Sequence, residues 1–311
     1  MRTIVVALVL ALTVVGRPSP SVAQPAARAT PINHELQWYA DLESRMIVDI
    51  SVGLPIVANI IAPLCDTTIL ACGNAKLGDG DSLRTNLYWA TTAGFGEWFG
   101  RRRGGWRNMQ ILKGEATGDK DLLATLVYAR TITTPAAWQK RGAPKTYELM
   151  VVVNGWRGKA IDRALHAYAR EVSGLDSRTI ELLDQRTIAT GGAAHMVAYS
   201  GHNRLMDVET FTWPVPAPKT IGAIAVGCLT ADYMETSVPA ATRVPLLMTR
   251  DFMFANAAPV EATILAVARG QGYAAIRRDA ATAYAAVQET SAKRVFGAFT
   301  NPADRRWQAA P

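Results

Sequence analysis

The chain has 311 residues, 49% hydrophobic and 19% charged, with three cysteines and a formal net charge of +7. That composition excludes an intrinsically disordered chain, a collagen-like or coiled-coil one, and a disulfide-dense scaffold. A globular chain of about 300 residues buries roughly three quarters of its unfolded surface, so a substantial core is expected.

Residues 1–23 read as a secretory signal peptide. Met1-Arg2 is a short basic start, residues 4–15 form an uncharged apolar run, and Ser21-Val22-Ala23 is a small-x-small cleavage site. The run is shorter than the roughly 20 residues that span a bilayer. No later stretch is long enough either, so the mature chain is expected to be exported, periplasmic or secreted, with no membrane span. Arg2 and Arg17 carry 2 of the 7 charges, which leaves +5 for a chain beginning at Gln24. Arg101-Arg102-Arg103 and Arg107, interleaved with Trp98 and Trp106, read as a solvated loop or a contact with an anionic surface. No nucleic-acid partner is expected.

Residues 24–33 are rich in Pro and Ala and read as a flexible lead-in. A helix is predicted over 34–45 and a buried strand over 56–64, IVANIIAPL. After the loop Gly78-Asp79-Gly80-Asp81, helical spacing runs over 83–99. Strands are predicted at 122–128 and 147–153. Ile161, Leu165, Tyr168 and Val172 then mark one face of a helix over 159–172. Strands follow at 193–199, 220–227 and 244–248, the last limited by Pro245 or set near an edge. Two helices, 259–269 and 273–295, close the chain. Short continuous apolar strands alternating with helices predict an α/β fold, a mainly parallel sheet covered by helices on both faces. Residues 34–311 read as one domain.

In such a sheet, ligands bind outside the carboxyl ends of the strands. Two of those ends carry reactive side chains: His202 after 193–199 and Cys228 after 220–227. Adjacent parallel strands would set them side by side on one rim. A nucleophilic thiol needs a base within hydrogen-bond reach. Of the four histidines, His34, His166, His195 and His202, only His202 follows a strand. Cys65 and Cys72 could form a disulfide across their loop, leaving Cys228 unpaired. The plainer reading of Cys228 is a small buried apolar residue.

A strand ending in Gly-His, followed by a strand ending in Cys, resembles the caspase-like cysteine peptidases: caspases, legumains, gingipains and clostripains. The stretch from Gly201 to Asp207 is also similar to a Gly-His-x-x-Leu-Met-Asp stretch in uncharacterised bacterial exported proteins. The family resemblance implies a peptidase or amidase with a His202/Cys228 dyad and a peptide or protein substrate. It implies an oxyanion held by the backbone N–H groups of Asn203 and Cys228. The chain departs from the family in three places. Asn203 stands where glycine is usual, Gly227 where alanine is usual, and Cys228 follows His202 by only 26 residues. Asp66 and Asp207 are candidates for an acidic substrate pocket. The alternative is an inactive caspase-like scaffold that binds another exported protein or envelope component. A third reading, redox work by Cys65 and Cys72, lacks the Cys-x-x-Cys spacing.

The remaining patterns carry little. No zinc, EF-hand, P-loop, dinucleotide or Gly-x-Ser-x-Gly pattern is complete, so no metal or cofactor is expected.

Overall fold

A computed structural model of the chain describes residues 32–66, 77–101, 104–254 and 256–307. The segment read as a signal peptide lies outside the described residues, as do residues 24–31 and Cys72. The elements, in chain order, are α1 (Ile32–Ser51), β1 (Ile56–Pro63), α2 (Leu87–Ala90), α3 (Phe95–Trp98), β2 (Arg107–Lys113), β3 (Leu122–Thr133), α4 (Ala136–Gln139), β4 (Thr146–Trp156), α5 (Ile161–Val172), β5 (Ser177–Glu181), β6 (Thr187–Gly191), β7 (Met196–Ser200), β8 (Ile221–Val226), α6 (Thr230–Met234), β9 (Arg243–Thr249), α7 (Ala258–Ala268), α8 (Tyr273–Val287), α9 (Ala292–Val295) and β10 (Phe299–Thr300). Ile32 and Asn33 already belong to α1, so the lead-in is shorter than expected. Among the described residues no helix is long and apolar enough to cross a membrane.

Eight strands form one sheet in the order β10-β9-β8-β7-β1-β4-β3-β2. The five from β9 to β4 run parallel. β3 and β2 extend one side antiparallel, and β10 closes the other side antiparallel. The fold is thus α/β on a mostly parallel sheet. Strands β1, β7, β8 and β9 are buried at every residue. A strand covered on both faces has no polar side to show, which is why these read as continuous apolar runs. At Pro245 the β8–β9 ladder slips, Ala223 pairing with Pro245 and Ile224 with Leu247. Proline has no N–H to give to a ladder.

Alternation along each strand feeds two separate cores. Leu42 and Met46 of α1, and Val260 and Ile264 of α7, pack with Ile56, Ile60 and Val151 on one face. Leu165, Tyr168 and Val172 of α5, and Met234 of α6, pack with Ile61, Val152 and Val197 on the other. Each large apolar side chain so buried contributes roughly 1.5–3 kcal/mol. Two polar devices tie the layers. Arg45 of α1 donates to the carbonyls of Ala193, Ala194 and Thr220 at the entrances to β7 and β8. Beneath α5, a buried ladder crosses the sheet. Thr125 donates to Asn154, Asn154 and Thr190 donate to Asn59, and Asn59 donates to Glu171 at 2.5 Å.

Several elements depart from expectation. The helix expected over 83–99 is two single turns. Asn86 caps α2 by accepting the Tyr88 N–H, and Thr91 turns extended at ψ 162° and ends it. Gly94 then opens α3, where a Cβ would sit 2.6 Å from the Trp89 carbonyl oxygen. The helix expected over 273–295 ends at Val287, and Glu289 breaks it at φ +49°. β2 was not expected because its edge position leaves Arg107, Asn108, Ile111 and Lys113 exposed. β5 and β6 were not expected either. They form a separate antiparallel hairpin whose Ile180 and Ile188 pack into the α5 core.

Candidate functional site

The last residue pair of β7 and β8 is Ser200 with Val226. The Gly201 N–H still donates to the Val226 carbonyl at 3.3 Å, so the register runs on past the strands. It sets Gly201 beside Gly227, each one residue before His202 and Cys228. Two glycines make this approach possible. A Cβ on Gly227 would lie 2.5 Å from the Gly201 carbonyl oxygen, and one on Gly201 would lie 2.8 Å from Pro63 at the end of β1. The alanine usual in the family before the cysteine therefore does not fit here unless the Gly201 turn moves. Immediately after Cys228 the chain turns into α6 through Leu229, which holds φ +52°. A left-handed conformation costs a branched residue roughly 1–2 kcal/mol, so the turn is held by its surroundings.

Those surroundings are specific. Thr249, at the end of β9, donates to the Gly227 carbonyl, and the hydroxyls of Thr230 and Thr249 meet at 2.9 Å. Both threonines are fully buried. The buried Tyr199 hydroxyl donates to the His202 carbonyl at 2.7 Å. Asn203, with no exposed surface, donates its amide to the Cys228 carbonyl at 2.9 Å and accepts the Leu205 N–H. Its side chain is thus a brace between the two turns.

His202 is 5% exposed and its Nε2 lies 2.6 Å from the Asp207 carboxylate. A neutral imidazole that donates Nε2–H to this carboxylate keeps Nδ1 as its acceptor. Arg204 bridges from Asp207 to Asp162 and fixes the carboxylate in turn. Cys228 is a free, half-buried thiol. The Met253 N–H points at its sulfur at 3.5 Å, and the Met253 carbonyl lies 3.8 Å away. Two phenols stand near it. Burial pushes the Tyr88 hydroxyl up to about 12, and Cys228 adds to the push. Burial also raises Tyr284, which likewise feels Cys228.

The structure therefore brings His202, Asn203, Asp207 and Cys228 into one cluster. The imidazole and the thiol share no hydrogen bond. Asp207, expected in a substrate pocket, is instead engaged with His202 and Arg204. Asp66 lies just beyond β1 but is 9% exposed, packed against the Cα positions of Gly80 and Gly158. Cys65 is disulfide-bonded; Cys72 lies outside the described residues. Among the described residues no group of three or more His, Cys, Asp or Glu is arranged to hold a metal ion. The orienting role of Asp207 was missed in the sequence. Its signal is Asn203, a turn-capping residue that curls the chain so that residue 207 returns to residue 202.

Comparisons with protein-family models, with curated proteins and with solved structures found no match.

Proposed function

We propose that this protein is an exported, caspase-like cysteine hydrolase that cleaves peptide or amide bonds, with Cys228 as nucleophile and His202 as general acid and base. The observation that supports this reading is the β7–β8 register, which brings the turns carrying the two residues together, with Asn203 donating to the Cys228 carbonyl. The Sγ proton passes to His202 Nδ1 and the thiolate adds to the substrate carbonyl carbon. Collapse of the oxyanion breaks the C–N bond, and His202 returns the proton to the departing amine. Water, deprotonated by His202, then cleaves the thioester and restores the thiol. Asp207 holds Nε2–H and balances the imidazolium. The backbone N–H groups of Asn203 and Cys228 are the candidate oxyanion donors, each worth about 3 kcal/mol. Hydrogen bonds of such a pair commonly close only on the substrate.

The test is alkylation of native protein by iodoacetamide. Cys228 is expected to label faster than the same cysteine in the urea-unfolded chain, and His202→Ala is expected to slow it. One observation favours a second reading, an inactive scaffold that binds another exported protein or envelope component: the sulfur is occupied by the Met253 backbone and not by His202. Labelling that needs denaturant, or that ignores His202, would decide for the scaffold.

A further inference from the structure

The acidic groups that would select a basic substrate are spent. Asp207 is held by His202 and Arg204, and Asp66 is packed against two glycines. What faces solvent beside Cys228 is aromatic. Residues 252–254 leave the end of β9 and pass directly over the thiol, with the Met253 N–H on the sulfur. Alternate side chains of an extended segment point to opposite sides. Met253 turns inward and is 8% exposed, packed in the α1/α7 core. Phe252 and Phe254 turn outward and are 69% and 42% exposed.

The segment is not slack. The Asp251 carboxylate accepts the Phe252 N–H, and the Tyr284 hydroxyl accepts the Phe254 N–H at 3.0 Å. Two phenylalanines are therefore held in water on both sides of the residue that touches the nucleophile. Tyr233, on α6 after Cys228, is 40% exposed as well. Exposed apolar surface concentrated at one place marks a binding site, and aromatic rings bury large area on contact.

We infer that this rim selects an apolar side chain, aromatic or large aliphatic, on the acyl side of the bond to be cut, with Phe252 and Phe254 as specificity-determining residues. The inference rests on the hydrolase reading. The wall beside the attacked carbonyl would clasp that side chain, while the N–H and C=O of Met253 mark where the substrate backbone approaches the thiol.

The probes are peptidyl acyloxymethyl ketones that differ only in the residue next to the reactive carbonyl: Phe, Leu, Arg or Asp. Alkylation of Cys228 is followed by mass spectrometry, and each rate is divided by the same protein's iodoacetamide rate. The Phe and Leu probes are expected to exceed the Arg and Asp probes by about tenfold or more, the scale of discrimination an apolar pocket supplies. In Phe252→Ser/Phe254→Ser the preference should collapse to about twofold or less. Both side chains are exposed, so the thermal midpoint of that variant should stay near wild type. Equal rates for the four probes, a faster Arg probe, or a preference that survives the double variant would overturn the inference alone. Iodoacetamide labelling indifferent to His202 would overturn the hydrolase reading, and the inference with it.

Discussion

Gly227 is the residue on which the geometry of the rim turns. Its missing side chain lets the turn before Cys228 lie against the Gly201 carbonyl. Gly227→Ala must push backbone against backbone, so an overpacking cost of about 1–3 kcal/mol is expected in urea unfolding. Because the displaced turn carries His202, His202-dependent labelling of Cys228 should fall as well. Asp207 makes a different demand. Asp207→Asn keeps the shape but removes the charge that fixes Nε2–H, and an amide can present its N–H there and hold the other tautomer. Nδ1 would then carry the proton and no longer accept one. The expected outcome is labelling of Cys228 reduced nearly to the His202→Ala level, with the thermal midpoint little changed. Labelling at the wild-type rate would remove Asp207 from the mechanism.

At the level of elements, α5 and the strands beneath it set a pH dependence. Burial raises the Glu171 carboxyl to about 7, against Arg178 and Asn59, which favour the charged form. A carboxyl with a raised value binds its proton more tightly folded than unfolded. Its effect is therefore absent below the ordinary value near 4.5 and grows as pH rises to about 7, where stability has fallen by roughly 3 kcal/mol. Glu171→Gln keeps an amide for the Asn59 ladder and cannot ionise. Because other groups, His195 among them, titrate in both proteins, the Glu171 effect is read as a difference: from pH 5 to pH 8 the stability of Glu171→Gln relative to wild type should rise by about 2 kcal/mol in urea unfolding. A difference that stays constant between the two pH values would contradict this. His195 acts in the opposite sense. Burial lowers its value, outweighing the bond to Asp49, so its contribution is lost as pH falls below about 6.5.

Across the whole molecule, the parallel centre was legible because burial on both faces left mostly apolar residues in β1, β7 and β8, Asn59 and Ser200 being the polar exceptions. The same logic explains what was hidden. β2 carries Arg107, Asn108, Gln110 and Lys113 because one of its edges meets solvent. β5, with the sequence SRTIE, needs only Ile180 to dock on α5 and carries no longer apolar run. The rim could be found by asking which side chains follow apolar strands, and that found His202 and Cys228. The braces could not be found so, since Thr230, Thr249 and Tyr199 are common residues whose partners are set only by three-dimensional neighbours. The aromatic wall was hidden for another reason: Phe252 and Phe254 look like core residues until their outward direction is known.

The place of β1 in the sheet has a consequence for how the chain reaches its native state. β1 is the first strand in the sequence, yet it lies between β4 and β7, with Ile56 against Leu149 and Ala58 against Met196. Neither partner is local, so large loops must close before β1 gains a single ladder bond, the circumstance that makes folding slow. β3 and β4 need less delay, being antiparallel, adjacent in the chain and joined through α4 alone. They can pair early, before the distant strands arrive. Until β7 arrives, the apolar stretch from Ile56 to Pro63 has one open edge at best and is a target for chaperones or for other chains. A strand buried at every residue in the finished protein is thus one that must stay exposed while its partners are made.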